Sequence, residues 1–179
     1  MNTMHRMNHC IWFTGLSGAG KSTLAYAFHQ ELTASGINTF VLDGDVLRTG
    51  LNSDLGFSPE DRAENVRRVG EVAKLMTGAG VTVLAALISP YRADRATVRK
   101  LFAPGQFIEV FVDAPLLTCI QRDVKGLYAK AQRGEVPAMT AMTSPYEAPL
   151  NPDLHLHTDT VPLAQCLSQI KAILNTWAK

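Results

Sequence analysis

Gly15-Leu-Ser-Gly-Ala-Gly-Lys-Ser22 fits the pattern GxxxxGK(S/T), in which a glycine-rich turn connects a buried strand to a helix. The apolar run 10–14 precedes this stretch, and a helical pattern begins at Lys21. Glycines allow such a turn to fold tightly, so that its N–H groups and the positive end of the helix dipole point at phosphate oxygens. The stretch therefore predicts a phosphate-binding loop.

Each position of this loop has an expected role. Lys21 is expected to bridge the terminal phosphates of ATP, and the Ser22 hydroxyl is expected to ligate Mg²⁺. One alternative is a glycine-rich turn with an exposed lysine. Another is a GxGxxG dinucleotide loop, which would need a glycine where Thr23 stands. The predicted ATP-binding set is Gly15, Leu16, Ser17, Gly18, Ala19, Gly20, Lys21, Ser22 and Thr23.

Apolar runs alternate with helical stretches along the remaining sequence. This βαβα order predicts a parallel sheet between helices, and the near-continuous apolar character of the runs fits strands buried on both faces. We predict an α/β protein of the P-loop NTPase type, a single kinase domain over residues 1–179 with a five-stranded parallel sheet. The predicted strands are 10–14, 39–42, 81–88, 107–112 and 154–157, and the principal helices are 21–34, 59–78 and 162–177.

Residues 122–153 depart from this alternation. They contain four prolines and two glycines, with one short helical piece near 127–132. A loop-rich segment of this size is typically functional or disordered. Because Lys125, Lys130 and Arg133 make it basic, we expect a mobile lid over anionic ligands.

The overall composition limits the partners of the chain. Its 179 residues include 17 Lys and Arg against 16 Asp and Glu, a net charge of +1. We therefore expect no nucleic acid and no membrane as partner. Three distant cysteines without CxxC spacing indicate neither a disulfide framework nor a zinc site, and the first residues lack a signal-peptide pattern. We expect a cytoplasmic homodimer that binds small nucleotides.

Two carboxylates follow the second predicted strand. In strand geometry Asp43 and Asp45 point the same way, at the edge where open α/β sheets bind ligands. One is suited to hold the metal through water and the other to accept a proton from an attacking hydroxyl. The alternative is a turn over 43–45 that caps the next helix.

The helix predicted after Ser58 carries polar residues on its inward face. Arg62 lies one turn before Val66, which belongs to the apolar stripe of this helix, and Asn65 extends the same face. A guanidinium suits a phosphate or sulfate, and an amide both donates and accepts hydrogen bonds. The alternative is local pairing with the acidic residues 60, 61 and 64.

Ser89 lies at the end of the third predicted strand, again at the ligand-binding edge. Its hydroxyl is suited to bind an anion or to be phosphorylated. As a cap of the following helix it would do neither, and the sequence leaves these roles open.

Seven ordered blocks of the chain resemble the adenylylsulfate (APS) kinase family, P-loop kinases of sulfate assimilation. The resemblance implies that Mg²⁺-ATP phosphorylates the ribose 3′-hydroxyl of APS, giving 3′-phospho-APS and ADP. The blocks span about residues 10–160 and read GLSGAGKST, LDGDVLR, LGFSPEDRAENVRRVGEVAKLM, ISPYRADR, FIEVFVDAP, RDVKGLYAKA and PYEAP.

Matched positions imply roles for individual residues. Asp45 matches the residue that activates the acceptor hydroxyl, and Ser22 and Asp43 are the expected metal residues. Phe57 matches an aromatic shelf for adenine, and Ser89 matches a serine described as a phosphoserine intermediate, which direct in-line transfer does not require. The implied catalytic residues are Asp45, Lys21 and Ser89. The implied acceptor-binding set is Asp45, Arg48, Phe57, Arg62, Asn65, Ile88, Ser89, Lys125 and Met139.

One block departs from the family pattern. Met139-Thr-Ala141-Met stands where the family usually has Phe-Thr-Gly-Ile, so Met139 replaces a second adenine-stacking aromatic. Methionine contacts a ring with less shape selection. One alternative function, suggested by this change, is a kinase of another small modified nucleotide, including a pyrimidine one. A second alternative, of another class, is a non-catalytic nucleotide-binding regulator.

Overall fold

The computed structural model describes residues 8–123, 125–135 and 139–177. Residues 1–7, for which no signal peptide is predicted, lie outside the described residues, as does Pro137 of the predicted lid. Within the described ranges five strands alternate with seven helices. The strands are β1 (Cys10–Thr14), β2 (Thr39–Asp43), β3 (Thr82–Ala86), β4 (Phe107–Asp113) and β5 (Leu154–His157). The helices are α1 (Lys21–Ala34), α2 (Gly44–Arg48), α3 (Pro59–Gly78), α4 (Arg92–Arg99), α5 (Leu116–Arg122), α6 (Leu127–Gln132) and α7 (Leu163–Trp177).

The strands form one sheet in the order β2-β3-β1-β4-β5, and all neighbouring strands run parallel. The predicted five-stranded parallel sheet flanked by helices is thereby confirmed. Because β1 lies between β3 and β4, the chain crosses over in opposite directions on its two sides. Open α/β sheets bind ligands at such a switch point, beyond the carboxyl ends of the strands.

Two apolar clusters cover the two faces of the sheet. Ile11 and Phe13 pack into the cluster that includes residues of α1 and α7. Trp12, between them, packs into the cluster that includes residues of α3 and α4. All five residues of β1 are fully buried, as predicted for a strand covered on both faces.

Helix α3 begins as the sequence predicts. Ser58 precedes the helix in an extended conformation, and its hydroxyl accepts a hydrogen bond from Asp61 N at 3.1 Å. Pro59 occupies the first helical position, where its missing N–H costs nothing. This start fixes the rotation of α3, so that Arg62 and Asn65 lie on its buried side.

Two strand predictions need correction. The third strand ends at Ala86 rather than at residue 88, because Ala86 pairs with Phe13 and Asp43 at the ends of both neighbouring ladders. The second strand extends to Asp43, and α2 begins immediately afterwards at Gly44. The prediction that Asp43 and Asp45 point the same way along a strand is therefore wrong. Among the described residues, none of the helices combines the length and apolar character that a membrane span requires.

Candidate active site

The phosphate loop, residues 15–22, passes very close to the backbone of β4. A Cβ atom on Gly15 would lie 2.2 Å from the carbonyl oxygen of Val112, so only glycine fits there. Gly20 adopts a left-handed φ of 103° immediately before α1. The loop thereby places the first turn of α1 against the open edge of the sheet, as the strand, loop and helix pattern predicts.

Lys21 lies at the bottom of the loop. Its side chain is buried, and Nζ donates a hydrogen bond to the Leu16 carbonyl at 2.7 Å. Burial, together with the nearby Lys125 ammonium, lowers the pKa of Lys21 to about 8, and Asp43 opposes this shift. Removal from water disfavours the charged ammonium, and a bound phosphate would favour it.

A cavity of about 500 Å³ extends from the phosphate loop along the carboxyl edge of the sheet. This cavity brings together most residues of the predicted ATP-binding set and of the implied acceptor-binding set. Those that line it are Ser17, Gly18, Gly20, Lys21, Ser22, Thr23, Asp45, Arg48, Phe57, Arg62, Asn65, Ile88, Ser89, Lys125 and Met139. Gly15, Leu16, Ala19 and Asp43 lie outside this lining, and Ala19 belongs to the apolar core.

The two aspartates occupy different positions. Asp43 is buried and precedes α2, where its Oδ1 accepts a hydrogen bond from Asp45 N at 2.9 Å. The helix-capping alternative therefore describes Asp43. Asp45, in the first turn of α2, is exposed at the mouth of the cavity, and its carboxylate contacts the Lys125 ammonium.

Two guanidinium groups lie close to the Phe57 ring. The Cζ atoms of Arg48 and Arg62 are 4.4 Å and 5.5 Å from its ring centroid. Arg62 Nε donates to the Phe57 carbonyl at 3.1 Å, and Arg48 Nη1 donates to the Leu55 and Gly56 carbonyls at 3.1 Å each. Burial lowers the pKa of both arginines, yet guanidinium groups remain charged at neutral pH. The arrangement combines a half-exposed aromatic face with two fixed positive charges.

Asn65 is positioned by a residue that the sequence did not single out. Its Oδ1 accepts a hydrogen bond from Nδ2 of Asn52 at 3.0 Å, and both side chains are buried. Two of the acidic neighbours proposed as alternative partners, Asp61 and Glu64, have other partners. Glu64 binds Arg67 and Arg68, and Asp61 Oδ2 accepts from Gly56 N.

Ser89 has a left-handed backbone, with φ at 39°, and is buried. Its hydroxyl accepts a hydrogen bond from Trp12 Nε1 at 3.0 Å, and its carbonyl accepts one from Arg95 Nη1 at 2.6 Å. Tyr91, not Ser89, precedes α4, so the helix-capping alternative is not adopted. The neighbouring Ile88 carbonyl accepts from Thr14 Oγ1 at 2.8 Å.

The predicted lid packs over the phosphate loop. Helix α6 matches the predicted piece 127–132, and its buried Tyr128 donates a hydrogen bond to the Ser17 carbonyl at 2.9 Å. Met139 lines the cavity but is only 5% exposed, because its side chain packs into the larger apolar cluster. The Ala141 backbone is left-handed, with φ at 69°.

Arg122 and Thr158 contact the loop but were not predicted as site residues. Arg122 Nη1 donates to the Gly18 carbonyl at 3.2 Å, and its Nη2 donates to the Thr158 carbonyl at 2.8 Å. The Thr158 hydroxyl donates to the Ala19 carbonyl at 2.6 Å. Thr158 directly follows β5, and ligand-binding residues commonly lie beyond the carboxyl ends of the strands in such sheets. This position is the signal in the sequence that could have identified Thr158.

The phosphate loop and the basic, aromatic pocket around Phe57 line the same cavity. This combination is typical of the P-loop kinases. The family model for adenylylsulphate kinase matches residues 7–157. The chain therefore belongs to the adenylylsulphate kinase family.

Individual relatives agree with this assignment. A probable adenylyl-sulfate kinase of Halalkalibacterium halodurans is 53% identical over 96% of this chain and 85% of its own length. The APS kinase of Mycobacterium tuberculosis, solved in complex with AMPPNP and APS, has a TM-score of 0.90 at 47% identity, covering 94% of this chain and 98% of that one. A hexameric APS kinase from Thiobacillus denitrificans has a TM-score of 0.72 at 33% identity, covering 98% of this chain and 30% of that one.

Proposed function

We propose that this chain transfers the γ-phosphoryl group of ATP to the ribose 3′-hydroxyl of adenosine 5′-phosphosulfate, giving 3′-phosphoadenosine 5′-phosphosulfate and ADP. The observation that carries the proposal is the single cavity that joins Lys21 of the phosphate loop to Arg48, Phe57 and Arg62. Asp45 lies at its mouth between the two ends. A phosphoryl donor and an acceptor can therefore meet in one cavity.

The donor side uses the backbone of the phosphate loop. Residues 15–20 present N–H groups toward the phosphates, and Lys21 neutralises charge on the transferring group. The loop carbonyls at residues 16 to 19 are held by Lys21, Tyr128, Arg122 and Thr158. These contacts keep the loop in place before nucleotide arrives, which lowers the cost of ordering it.

Oxygen ligands for Mg²⁺ are available beside Lys21. The Ser22 hydroxyl lines the cavity in the first turn of α1, and the Asp43 carboxylate is close enough to Lys21 to affect its pKa. Hydroxyl and carboxylate oxygens are the donors that this cation prefers. We assign Ser22 as a direct ligand and Asp43 as a ligand through water. Bound Mg²⁺ supplies charge neutralisation on the β- and γ-phosphates.

We assign Asp45 to accept the proton of the attacking hydroxyl. Its carboxylate is exposed to the cavity and belongs to the first turn of α2, so its backbone is fixed by the Asp43 cap. The Lys125 contact leaves it accessible, because a pair this exposed is worth about 1 kcal/mol or less. The hydroxyl of an incoming acceptor can share the Asp45 carboxylate with Lys125 or displace the Lys125 ammonium from it.

The acceptor side combines stacking with charge. Phe57 offers a ring face to a nucleobase, and Arg48 and Arg62 supply positive charge to the phosphosulfate group. Asn65, Ile88 and Ser89 complete this wall of the cavity, and Met139 closes it from the lid side. A regulator without turnover has no use for such a wall. Ser89 is assigned to acceptor binding, because it lines the cavity and its hydroxyl, which accepts from Trp12, keeps a proton to donate.

Turnover with a panel of acceptors tests this function. Purified chain with Mg²⁺-ATP should release ADP only when APS is added, and mass spectrometry should identify one phosphorylated sulfonucleotide per ADP. AMP and the uridine analogue of APS serve as comparison acceptors. Preference for the uridine analogue would assign the chain to another nucleotide, and ATP binding without acceptor-dependent ADP release would indicate a regulator.

The Lys21→Ala variant is the matched test of the phosphate site. It should lose turnover by about three orders of magnitude or more with every acceptor, because charge on the transferring group is no longer neutralised. Lys74→Ala removes an exposed lysine of α3 and should leave turnover unchanged. Equal turnover in the two variants would contradict the assignment.

Domain organisation, assembly and location complete the proposal. Both apolar clusters pack on one sheet, which supports one kinase domain over residues 1–179. The hexameric Thiobacillus protein supports self-association of similar chains, and light scattering should give twice the mass of one chain for the proposed homodimer. The three unpaired, buried cysteines suit the reducing cytoplasm.

A further inference from the structure

Asp113, His155 and His157 form a cluster at the carboxyl ends of β4 and β5. In the parallel register Asp113 is opposite His157. The two histidines are two residues apart on one strand, so both imidazoles project from the same face of the sheet. Among residues 8–123, 125–135 and 139–177, these three are the group whose potential metal-ligand atoms all lie within 4.8 Å of one another.

The distances within the cluster suit a single central ion. Asp113 Oδ2 lies 2.9 Å from His155 Nε2 and 3.7 Å from His157 Nδ1. Ligand bonds of about 2.0 to 2.2 Å in a tetrahedral site imply ligand atoms roughly 3.3 to 3.6 Å apart. The two Asp113 separations, 2.9 Å and 3.7 Å, lie on either side of this range.

Neighbouring rings restrain the two imidazoles. The His155 ring stacks on Phe111 with centroids 4.7 Å apart, and the His157 ring lies 4.3 Å from that of His155. Such stacking reduces the rotational freedom that ligation would otherwise have to remove. The side chains remain between about one third and one half exposed, so an ion from solvent can reach them.

We propose that Asp113, His155 and His157 bind one divalent transition-metal cation of the zinc class. Two imidazole nitrogens and one carboxylate oxygen are a common donor set for such ions, and they leave a fourth position open to water. Mg²⁺ favours oxygen ligands in an octahedron, so this donor set discriminates against the cation assigned to Ser22 and Asp43. The two metal sites differ in residues and in chemistry.

The cluster is adjacent to the phosphate loop without being part of it. The Asp113 carbonyl accepts a hydrogen bond from Thr158 N at 2.9 Å, and Thr158 in turn contacts Ala19. Because of this proximity, turnover is an ambiguous readout of occupancy. The test therefore measures metal binding directly on the full chain.

Calorimetric titration with Zn²⁺, in millimolar Mg²⁺, should give one site per chain. The His157→Ala variant removes an exposed ligand and should weaken that site at least about tenfold, since one of three protein donors is lost. Asp113→Asn should weaken it as well. His29→Gln alters a histidine of α1 outside the cluster and should leave the binding constant unchanged.

Substitution with Co²⁺ gives an independent readout. The wild-type chain should develop the visible absorption of a low-coordinate nitrogen and oxygen site, and His157→Ala should lose it while melting at the wild-type temperature. No saturable Zn²⁺ site in the wild type would overturn the proposal. Equal affinity in wild type and His157→Ala would overturn it too, by showing that the bound metal lies elsewhere.

Discussion

The Lys125 ammonium contacts the Asp45 carboxylate across the mouth of the cavity. Lys125 comes from the segment between α5 and α6, and Asp45 from the first turn of α2, so the contact joins the lid to the acceptor side of the site. Under the proposed function, a nucleotide hydroxyl that reaches Asp45 shares this carboxylate with Lys125 or displaces the ammonium. We therefore expect occupation of the acceptor site to be linked to the position of the lid through one carboxylate.

The Asp45→Asn substitution should separate catalysis from binding. The amide keeps the shape of the side chain but cannot accept a proton, so kcat should fall by about 10² to 10⁴. ADP affinity, measured by calorimetry, should stay near that of the wild type. The Lys125→Met variant removes the ion pair but keeps the carboxylate, and it should lose much less turnover. A change confined to KM in Asp45→Asn would show that Asp45 only positions the acceptor.

ATP binding should be coupled to proton uptake at Lys21. The pKa of this lysine is lowered to about 8 in the ligand-free site, and phosphate charge raises it, so binding near pH 8 should take up a proton. ATP affinity should therefore fall as pH rises through about 8. Titration calorimetry in two buffers of different ionisation enthalpy measures the uptake.

The Lys125→Met variant provides the control for that pH dependence. The Lys125 charge contributes to the lowered pKa of Lys21, so its removal should move the fall in ATP affinity to higher pH. A shift to lower pH, or proton release on binding, would contradict the assigned cause.

The Arg62→Ala substitution should weaken the acceptor selectively. Its guanidinium is buried beside Phe57, and loss of a charge-assisted hydrogen bond there should cost about 1.5 to 3 kcal/mol of acceptor affinity. ATP affinity should change little. Arg67→Ala, on the exposed side of the same helix, is the matched control and should alter neither. Equal losses for both nucleotides in Arg62→Ala would place its role outside the acceptor pocket.

The Ala141→Gly substitution should stabilise the fold. A left-handed backbone costs an L-residue about 1 to 2 kcal/mol, which exceeds the entropic cost of glycine. We expect a gain of about 0.5 to 1 kcal/mol, seen as a rise of roughly 1 to 4 °C in Tm. Ala129→Gly in helix α6 should lower Tm instead, because glycine disfavours a helix. A lower Tm for Ala141→Gly would contradict the strain at this position.

Local signals made most of the fold predictable. The start of α3 at Ser58 and Pro59 and the loop before Lys21 depend on residues within one or two turns of each other. At Asp43 two local signals compete, since strand alternation and a helix cap both fit the same residues. The helix cap forms because the Asp43 carboxylate accepts a hydrogen bond from an N–H of α2 that would otherwise lack a partner.

The rest of the site depends on contacts between distant parts of the chain. Trp12 bonds Ser89 across 77 positions, and Arg122 bonds Gly18 across 104. Such pairs arise only once the strand order brings β1 beside β3 and β4. No periodicity within a single element encodes them, so they could not be read from the sequence.

The close approach of Gly15 to the Val112 carbonyl has a consequence for mutational tolerance. The Val112 carbonyl oxygen lies 2.2 Å from the position that a Cβ atom on Gly15 would occupy. Exchanges of the Val112 side chain leave that oxygen where it is, whereas every substitution of Gly15 meets it. Variation of the Val112 side chain therefore leaves this contact unchanged, and the constraint that the carbonyl oxygen imposes on the loop falls on Gly15.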